Sequence, residues 1–454
     1  MFGDADAWLT TSARRFQTRR LIHALVRRDT TMVDEPVRAQ SVSLLIGWAV
    51  SALVAVCCAV LALIVPPDST GDAPIVMARD TGALYVRVEH RLHPVFNLAS
   101  ARLVARTSAN PVQVSAAAIA AADHGPALGI PGAPSQLGAT ARPDTWMVCD
   151  TDQTTVFVGR SERMPGLAEA APVLARPAGE SVATSYLLYD GKRAEVDLRD
   201  ITAVRALRLD DVGARPVSRA VLDLLPEVPT ITAPVIADIG RPAPAGMRIG
   251  QVVRVVRAGS TEYYVGLSRG LQRIGEVAAD MIRFKYGGGD IQTVSPEAIA
   301  AVPVVNDLAV STFPDQARTP TGEHGTAGIC VRWRSEDSGT ASTVLTAGPM
   351  PSGVLRLAQA DGVGPQLDSI VLPGGQSSYV RAAGVTGDTA GAAIYLITDS
   401  GVLHGVHDEQ AAGYLGLTGP PVSAPWPLLA QLPRGPELDI AAAELQRDGL
   451  PAHP

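Results

Sequence analysis

Apolar residues are unevenly spread along this chain, and the longest apolar run lies near its start. No charged residue and no histidine occurs between Ala39 and Pro67, and Val42–Val65 is almost entirely apolar. Because an α-helix needs about 20 apolar residues to cross a bilayer, this run predicts one transmembrane helix. A cleaved signal peptide is the alternative. It is disfavoured because its apolar region would be shorter, and because this run leads into Pro66-Pro67 and not into small residues.

Basic residues flank only one side of this run. Seven arginines precede it, namely Arg14, Arg15, Arg19, Arg20, Arg27, Arg28 and Arg38. Asp68 and Asp72 follow it. Since flanks rich in arginine stay in the cytoplasm, residues 1–40 are expected inside the cell and residues 68–454 in the periplasm. The predicted localisation is the inner membrane, with a single span and a cytoplasmic N-terminus.

Beyond the apolar run, one pattern of positions occurs four times. Each copy has a strand with a tyrosine, a turn, a second short strand and an apolar segment, and the tyrosines are Tyr85, Tyr186, Tyr264 and Tyr395. A Val-Ser pair follows in each copy, and its serine is predicted to cap a short helix: Ser115, Ser218, Ser295 and Ser423. Chance similarity is the alternative. An ordered set of features at near-constant spacing favours four β-rich repeats, each too short to bury its own core.

Two blocks of strand-like sequence separate the copies, and each block holds one cysteine. Cys149 lies in TWMVCD and Cys330 in GICVRW, whereas Cys57 and Cys58 lie inside the apolar run. Two lone cysteines in an oxidising compartment predict one disulfide, with free thiols as the alternative. We therefore expect a β-rich core that is assembled from two distant segments and tied by this disulfide.

These observations predict an α+β fold, with a single N-terminal transmembrane helix followed by a periplasmic region of four β-rich repeat domains around a disulfide-tied β core. The expected boundaries are 1–40 for a cytosolic tail with a basic amphipathic helix, 42–65 for the membrane helix, 72–130, 181–240, 245–310 and 391–440 for the repeats, 143–180 and 325–390 for the core, and 441–454 for a terminal tail. The net charge of −7 does not indicate a nucleic-acid partner.

Three short motifs resemble catalytic or metal sites, and none of them predicts a cofactor. The single Gly-Lys pair, Gly191-Lys192, lacks the preceding glycine and the following serine or threonine of a phosphate-binding loop. Ser268 lies in a G-x-S-x-G sequence, but between two strands, where a nucleophile elbow is not expected. The pairs His90/His93 and His404/His407 have no evident third metal ligand, and surface histidines are the favoured interpretation.

The segment before the membrane helix alternates apolar residues with arginines. Its apolar residues are Phe16, Leu21, Ile22, Leu25 and Val26. As a helix it is expected to have an apolar side and a basic side. One interpretation is a helix that lies on anionic lipid, and the other is a docking helix for partner proteins beneath the membrane.

Several segments together resemble the EccB family, a membrane core component of the mycobacterial type VII (ESX) secretion system. They are HALVRRDT, VRAQS, GDAPIVM, ALYVRV, HPVFNLASARL and GIPGAP. The chain departs from this resemblance at its N-terminus, which is shorter than expected. The resemblance implies a short cytosolic tail, one transmembrane helix, and four periplasmic repeat domains around a β-rich core with a disulfide.

The resemblance also implies a function and partners. It implies a structural subunit whose tail packs with EccC, EccD and EccE, and whose periplasmic regions associate with one another and with the mycosin protease. Three alternatives stay open: a nucleotide hydrolase, since this family is often labelled as ATPases, a cell-wall hydrolase, and a cell-wall-binding module in which four similar units give avidity.

Overall fold

The computed structural model describes residues 4–28, 36–64, 71–159, 168–179, 184–257, 259–323, 328–336, 338–348, 354–362, 364–372 and 374–447. The chain divides into two compact units, Met1–Ser69 and Thr70–Pro454.

The first unit contains two helices in its described residues. They are α1, Asp4–Arg27, and α2, Pro36–Ile64. Within α2, the segment Ser41–Val60 has a mean hydropathy of 2.3, and none of it is buried inside the protein. An apolar helix of this length with no protein around it suits a hydrocarbon surrounding. Among the described residues there is thus one candidate membrane-spanning helix, at the position that the apolar run predicts.

The described part of the second unit contains five sheets, and four of them share one topology. In each, three strands pair antiparallel in chain order, and a strand that follows a helix pairs parallel with the first strand. In chain order they are the first, second, third and fourth sheets. This shared path gives each sheet the hairpin that the tyrosine pattern predicts, plus one strand before it.

The four strands of each sheet have the following bounds. The first sheet has β1, Ile75–Ala78; β2, Leu84–Val88; β3, Arg91–Val95; and β4, Val112–Val114. The second has β10, Val173–Pro177; β11, Ser185–Tyr189; β12, Lys192–Val196; and β13, Arg215–Val217. The third has β15, Val252–Arg257; β16, Ser260–Leu267; β17, Gly270–Ile274; and β18, Gln292–Thr293. The fourth has β23, Gln376–Ala383; β24, Ile394–Ile397; β25, Leu403–Val406; and β26, Val422–Pro425.

Two helices accompany each of these sheets. The first helix precedes the parallel strand: α3, Leu98–Ala105; α5, Ile201–Ala206; α7, Glu276–Tyr286; and α9, Glu409–Leu415. The second helix follows that strand: α4, Ala116–Ala120; α6, Arg219–Leu224; α8, Pro296–Ala300; and α10, Trp426–Leu429. Minor elements are β5, Ala127–Leu128; β6, Ala139–Ala141; β14, Glu227–Val228; a 3-10 turn, Pro244–Gly246; α11, Ile440–Ala443; and β27, Gln446–Arg447.

The remaining sheet, the central sheet, is built from two distant segments. Its strands are β7, Thr145–Asp150; β8, Thr154–Gly159; β9, Ala168–Glu169; β19, Gly328–Ser335; β20, Ala341–Gly348; β21, Leu355–Arg356; and β22, Ser369–Val371. Their order is β21-β22-β8-β7-β19-β20-β9. Trp146 and Trp333 are directly opposite on β7 and β19, and both are fully buried. Large cross-strand aromatic pairs of this kind hold two strands in register.

The helices pack the sheets together in pairs. The first helices α3 and α9 contact each other, as do α5 and α7, while the second helices α6 and α10 meet over the central sheet. Leu222 of α6 and Leu428 of α10 belong to the same buried cluster as Trp146 and Trp333. The second and fourth sheets therefore share a hydrophobic core with the central sheet.

The strand pairing corrects three of the expected boundaries. Strand β10 lies in the expected core block 143–180, yet it pairs with β11 of the second sheet. Strand β23 lies in the expected block 325–390, yet it pairs with β24 of the fourth sheet. Strand β27 lies in the expected terminal tail, yet it extends the first sheet through β5. The strand that precedes the hairpin thus falls inside the expected first and third repeats but outside the second and fourth.

Candidate assembly surfaces

The tail helix α1 exposes its apolar residues, but they do not form one side of the helix. Phe16, Leu21, Ile22, Leu25 and Val26 are all more than half exposed. Successive helical residues are about 100° apart, so the last four fall within an arc of about 140° and Phe16 lies about 150° from its middle. The expected division into one apolar and one basic side is therefore wrong.

The apolar and basic residues of α1 follow each other along the same side instead. A shallow surface in the first half is lined by arginines and threonines: Thr10, Thr11, Arg14, Arg15, Thr18 and Arg19. At about 100° per residue, these six residues cover an arc that includes the side of Leu21 and Leu25. They precede these leucines along the helix axis. This arrangement gives one side of the helix a basic half followed by an apolar half.

The two cysteines of the second unit form a disulfide. Cys149 of β7 and Cys330 of β19 are directly opposite, with their Cα atoms 4.0 Å apart, and they are separated by 181 positions in sequence. Both are fully buried beside Met147 and Phe157. The bond thus links the two distant segments of the central sheet. In the first unit, Cys57 and Cys58 are free and exposed.

The four serines that were predicted as helix caps have different roles. Ser115 accepts from the backbone N–H of Ala118 and Ser218 from that of Val221, each at 3.3 Å. Ser295 is at the N-cap position of α8 without a capping hydrogen bond from its side chain. Ser423 is not a cap: it lies within β26, opposite Arg381.

The local sequence explains the two exceptions. The hydroxyl of Ser295 bonds the carboxylate of Glu297, whose pKa is lowered by its own backbone N–H and then by this serine. In the fourth sheet the parallel strand continues to Pro425, and α10 begins only at Trp426. Because strand pairing uses the backbone around Ser423, the helix start moves two residues further on.

The Gly-Lys pair and the serine of the G-x-S-x-G sequence both lie at hairpin turns. Asp190 and Gly191 join β11 to β12, with φ of 44° and 70°, and this is the geometry of a two-residue hairpin loop. The carbonyl of Gly191 accepts a hydrogen bond from Thr343 of the central sheet at 2.6 Å. Ser268 is exposed in the two-residue turn between β16 and β17. Both motifs thus occupy strand–turn–strand settings, which differ from a phosphate-binding loop and from a nucleophile elbow.

The His-x-x-His pairs are each divided between surface and interior, so the expectation of surface histidines is wrong for one member of each pair. His90 and His407 are exposed, while His93 and His404 are buried. His93 and His404 place Nδ1 2.9 and 3.0 Å from the carbonyls of Pro126 and Pro436. Because a carbonyl only accepts, Nδ1 carries the hydrogen in each ring. Burial lowers the pKa of His404 and so favours its neutral form.

Buried histidines at these positions fasten a loop to a strand. His93 and His404 occupy the same place in β3 and β25, two residues before the last residue of the strand. In the third sheet that place holds Gln272, whose amide accepts from the N–H of Leu308 and donates to its carbonyl at 2.7 and 2.8 Å. Among the described residues, no group of three or more histidine, cysteine or acidic side chains could hold a metal ion.

Three charged residues of the described chain are buried without being marked by the repeat and motif patterns of the sequence, namely Asp150, Arg102 and Asp368, and the first two bond across long distances in sequence. The Asp150 carboxylate accepts from the backbone N–H and the hydroxyl of Ser218. Arg102 of α3 donates to the carbonyl of Leu415 at the end of α9 and to Asn110. Burial raises the pKa of Asp150 and lowers that of Arg102. Each of these two charges lies inside an apolar segment, TWMVCD or ASARLVA. Because a buried charge needs a partner, such a placement is the one local sign of a buried, hydrogen-bonded group.

The fold and these surfaces define a class of protein: a candidate membrane-anchored protein whose large exposed part is a disulfide-bonded array of small sheets. The family model that matches residues 6–452 is described as the type VII secretion system ESX-1 transport TM domain B. That match covers almost the whole chain, and the chain belongs to the EccB family.

Relatives and solved structures agree with this family. The chain is 32% identical to the ESX-3 secretion system ATPase EccB3 of Mycolicibacterium smegmatis, over 98% of this chain and 91% of that protein. It is 32% identical to the ESX-5 secretion system ATPase EccB5 of Mycobacterium tuberculosis, over 96% and 92%. It is similar to a chain of an intact ESX-5 inner membrane complex, with a TM-score of 0.70, 30% identity and coverage of 98% and 96%. A structure of the EccB3 dimer from the ESX-3 core complex matches with a TM-score of 0.70, 30% identity and coverage of 82% and 100%.

Proposed function

We propose that this chain is a structural core subunit of a type VII secretion complex in the inner membrane, where it anchors and organises the periplasmic part. The observation that carries this proposal is the match over nearly its full length to a chain of an intact ESX-5 inner membrane complex. The single candidate span in α2 supports the anchoring role. Its work is the positioning of other subunits.

The proposed topology has the N-terminus in the cytoplasm and the second unit in the periplasm. The arginines that precede α2, against Asp68 and Asp72 after it, support this orientation. A phosphatase or β-lactamase fused after Gly71 should be active outside the cytoplasm. Activity of these reporters only inside the cell would contradict the orientation and, with it, the proposed role.

We infer that the second unit consists of four repeat domains around a disulfide-tied core. The shared strand order of the four smaller sheets supports this organisation. The pairing of β10 and β23 supports starting the second repeat at Val173 and the fourth at Gln376. Because a small sheet of three or four strands has little core of its own, each repeat relies on its neighbours.

The proposed partners are EccC, EccD and EccE at the cytosolic tail, and mycosin and further copies of the chain in the periplasm. The exposed apolar stripe of α1 supports protein docking at the tail. Leu21→Asp with Leu25→Asp should abolish copurification of the core subunits while the variant still reaches the membrane. Phe16 lies on the other side of α1, so Phe16→Asp is the matched control. A normal complex from the double variant would indicate that the tail contacts only lipid.

Two alternative functions have direct tests. The relatives carry the name ATPase, yet the sequence lacks the G-x-x-x-x-G-K-[ST] motif, and its single Gly-Lys pair is a hairpin turn. Purified chain that turns over ATP above a heat-denatured control would support a nucleotide hydrolase. Specific retention on peptidoglycan would support a cell-wall-binding module.

A further inference from the structure

One groove in the fourth sheet joins aromatic and cationic groups at its surface. It encloses about 610 Å³ and is lined by Tyr395 and Arg434, with charged residues around them. The guanidinium of Arg434 lies 5.9 Å from the ring centre of Tyr395 and 5.2 Å from that of Trp426. The two ring centres are 6.0 Å apart, so the three groups form a nearly equilateral triangle. We name these three residues the aromatic platform.

The other charged side chains of the groove are already paired or used. Arg381 bonds Glu409 at 3.2 Å, and His407 bonds Glu437 at 3.3 Å. Asp408 caps α9 by accepting from the N–H of Ala411 at 2.7 Å.

Arg434 differs from these groups. It is exposed, and within the part of the chain that the structure describes its guanidinium makes neither a hydrogen bond nor an ion pair. Two ring faces hold it in place, while its N–H donors stay available. An anion supplied by a ligand would accept hydrogen bonds from these donors, because Asp408, Glu409 and Glu437 of the same groove are bonded to other groups.

The residue equivalent to Arg434 differs in the other three sheets. In each sheet this residue follows the second helix and pairs with the third strand, and it is His124, Glu227 or Val304. His124 packs its edge against Tyr85, and Glu227 is paired with Arg193. Val304 is an exposed apolar residue. Among these four equivalent places, the combination of an aromatic pair with an unpaired arginine belongs to the fourth sheet alone.

We propose that the aromatic platform docks a carboxylate-bearing segment of another protein. This inference rests on the proposed function, because a core subunit is surrounded by proteins. Tyrosine, tryptophan and arginine are the residues most enriched at the energetic centres of protein interfaces. The planar guanidinium forms paired hydrogen bonds with a carboxylate, and the rings hold it in one orientation. The ligand is therefore a glutamate or aspartate side chain flanked by apolar residues.

The test measures peptide binding to the purified full-length chain in detergent by calorimetry at low salt. The probe is a capped pentapeptide of leucine and glycine with glutamate at its centre, and its twin has glutamine there. The glutamate peptide should bind at least tenfold more tightly than its twin. Arg434→Ala should remove that difference, whereas Arg91→Ala, which deletes an exposed arginine of the first sheet, should keep it. A thermal unfolding midpoint close to that of the unsubstituted chain checks that each variant is folded.

Three outcomes would overturn the proposal. They are equal binding of the two peptides, no binding of either, and unchanged discrimination in Arg434→Ala. A fourth arm uses N-acetylmuramic acid, a carboxylated sugar. Tighter binding of this sugar than of the glutamate peptide, lost in Arg434→Ala, would assign the platform to the cell wall instead. Because binding is measured on the isolated chain, its failure is distinguishable from failure of the chain to copurify with a secretion complex.

Discussion

The carboxylate of Asp150 receives two hydrogen bonds from the same residue, Ser218. One oxygen accepts from the backbone N–H at 2.6 Å and the other from the hydroxyl at 2.8 Å. Asp150 ends β7 next to the disulfide, and Ser218 begins α6 of the second sheet. A single buried acid therefore fastens a helix start to the central sheet.

This buried acid predicts a pH-dependent stability. Burial raises the pKa of Asp150, while hydrogen bonds from Ser218 and Thr154 and the charge of Arg215 oppose the shift. Because the folded-state pKa lies above the unfolded value, the folded chain holds this proton more tightly. The stabilisation that comes from this tighter proton binding is fully present below the unfolded pKa and is lost as the pH rises through the folded pKa. Asp150→Asn should therefore flatten the decline of unfolding free energy with pH in this window.

Urea unfolding across mildly acidic pH measures that slope. The matched control is Asp152→Asn, because Asp152 is exposed in the turn that follows β7. The control should keep the slope of the original chain. An unchanged slope in Asp150→Asn would show that this carboxyl group titrates alike in the folded and unfolded states.

Ser218 and Ser295 are a matched pair of predicted caps that should respond differently to alanine. Ser218 caps Val221 and also bonds Asp150, so its hydroxyl has two partners. Ser295 makes no capping bond. Loss of a cap typically costs about 1 kcal/mol. Ser218→Ala should cost at least that much in unfolding free energy, and Ser295→Ala less than about 0.5 kcal/mol. Equal losses in the two variants would contradict the structural distinction.

The cap serines show how far the sequence alone predicts this fold. A Val-Ser pair before a short apolar helix is a local signal, and it places the starts of α4, α6 and α8 correctly. Ser423 fails because strand pairing overrides the local signal. Ser218, which bonds Asp150, is 68 positions away, and Leu415, which bonds Arg102, is 313 positions away, so no local pattern could name these two partners.

The sheet boundaries were missed for a related reason. Strands β10 and β23 resemble core strands in composition, and only their pairing with the following hairpin assigns them. The aromatic platform likewise could not be predicted from the local sequence. Tyr395 marks a repeat in the sequence, but the loop that carries Arg434 reaches it only after two further strands and two helices.

The disulfide between Cys149 and Cys330 should contribute measurably to stability. It closes a loop of 181 positions, and removing a native disulfide typically costs about 2–5 kcal/mol. Cys149→Ala with Cys330→Ala should lower the unfolding free energy by an amount in that range, with no thiol left in the second unit. Alkylation of the unfolded chain before reduction, followed by peptide mapping, should show the linked pair. Alkylated Cys149 and Cys330 under those conditions would contradict the bond, whereas Cys57 and Cys58 are free and should be alkylated in any case.

Gly191 should be intolerant of alanine because two independent constraints meet there. Its φ of 70° is in the left-handed region, and a Cβ would collide with the backbone carbonyl of Thr343 in the central sheet. The left-handed conformation alone costs a non-glycine residue roughly 1–2 kcal/mol. Gly240→Ala is the matched control, since its φ is 82° but no atom lies within 4 Å of an added Cβ. Thermal and urea unfolding should show a clearly larger loss for Gly191→Ala, because it also disturbs the bond from Thr343. Equal losses would mean that the hairpin turn moves freely away from the central sheet.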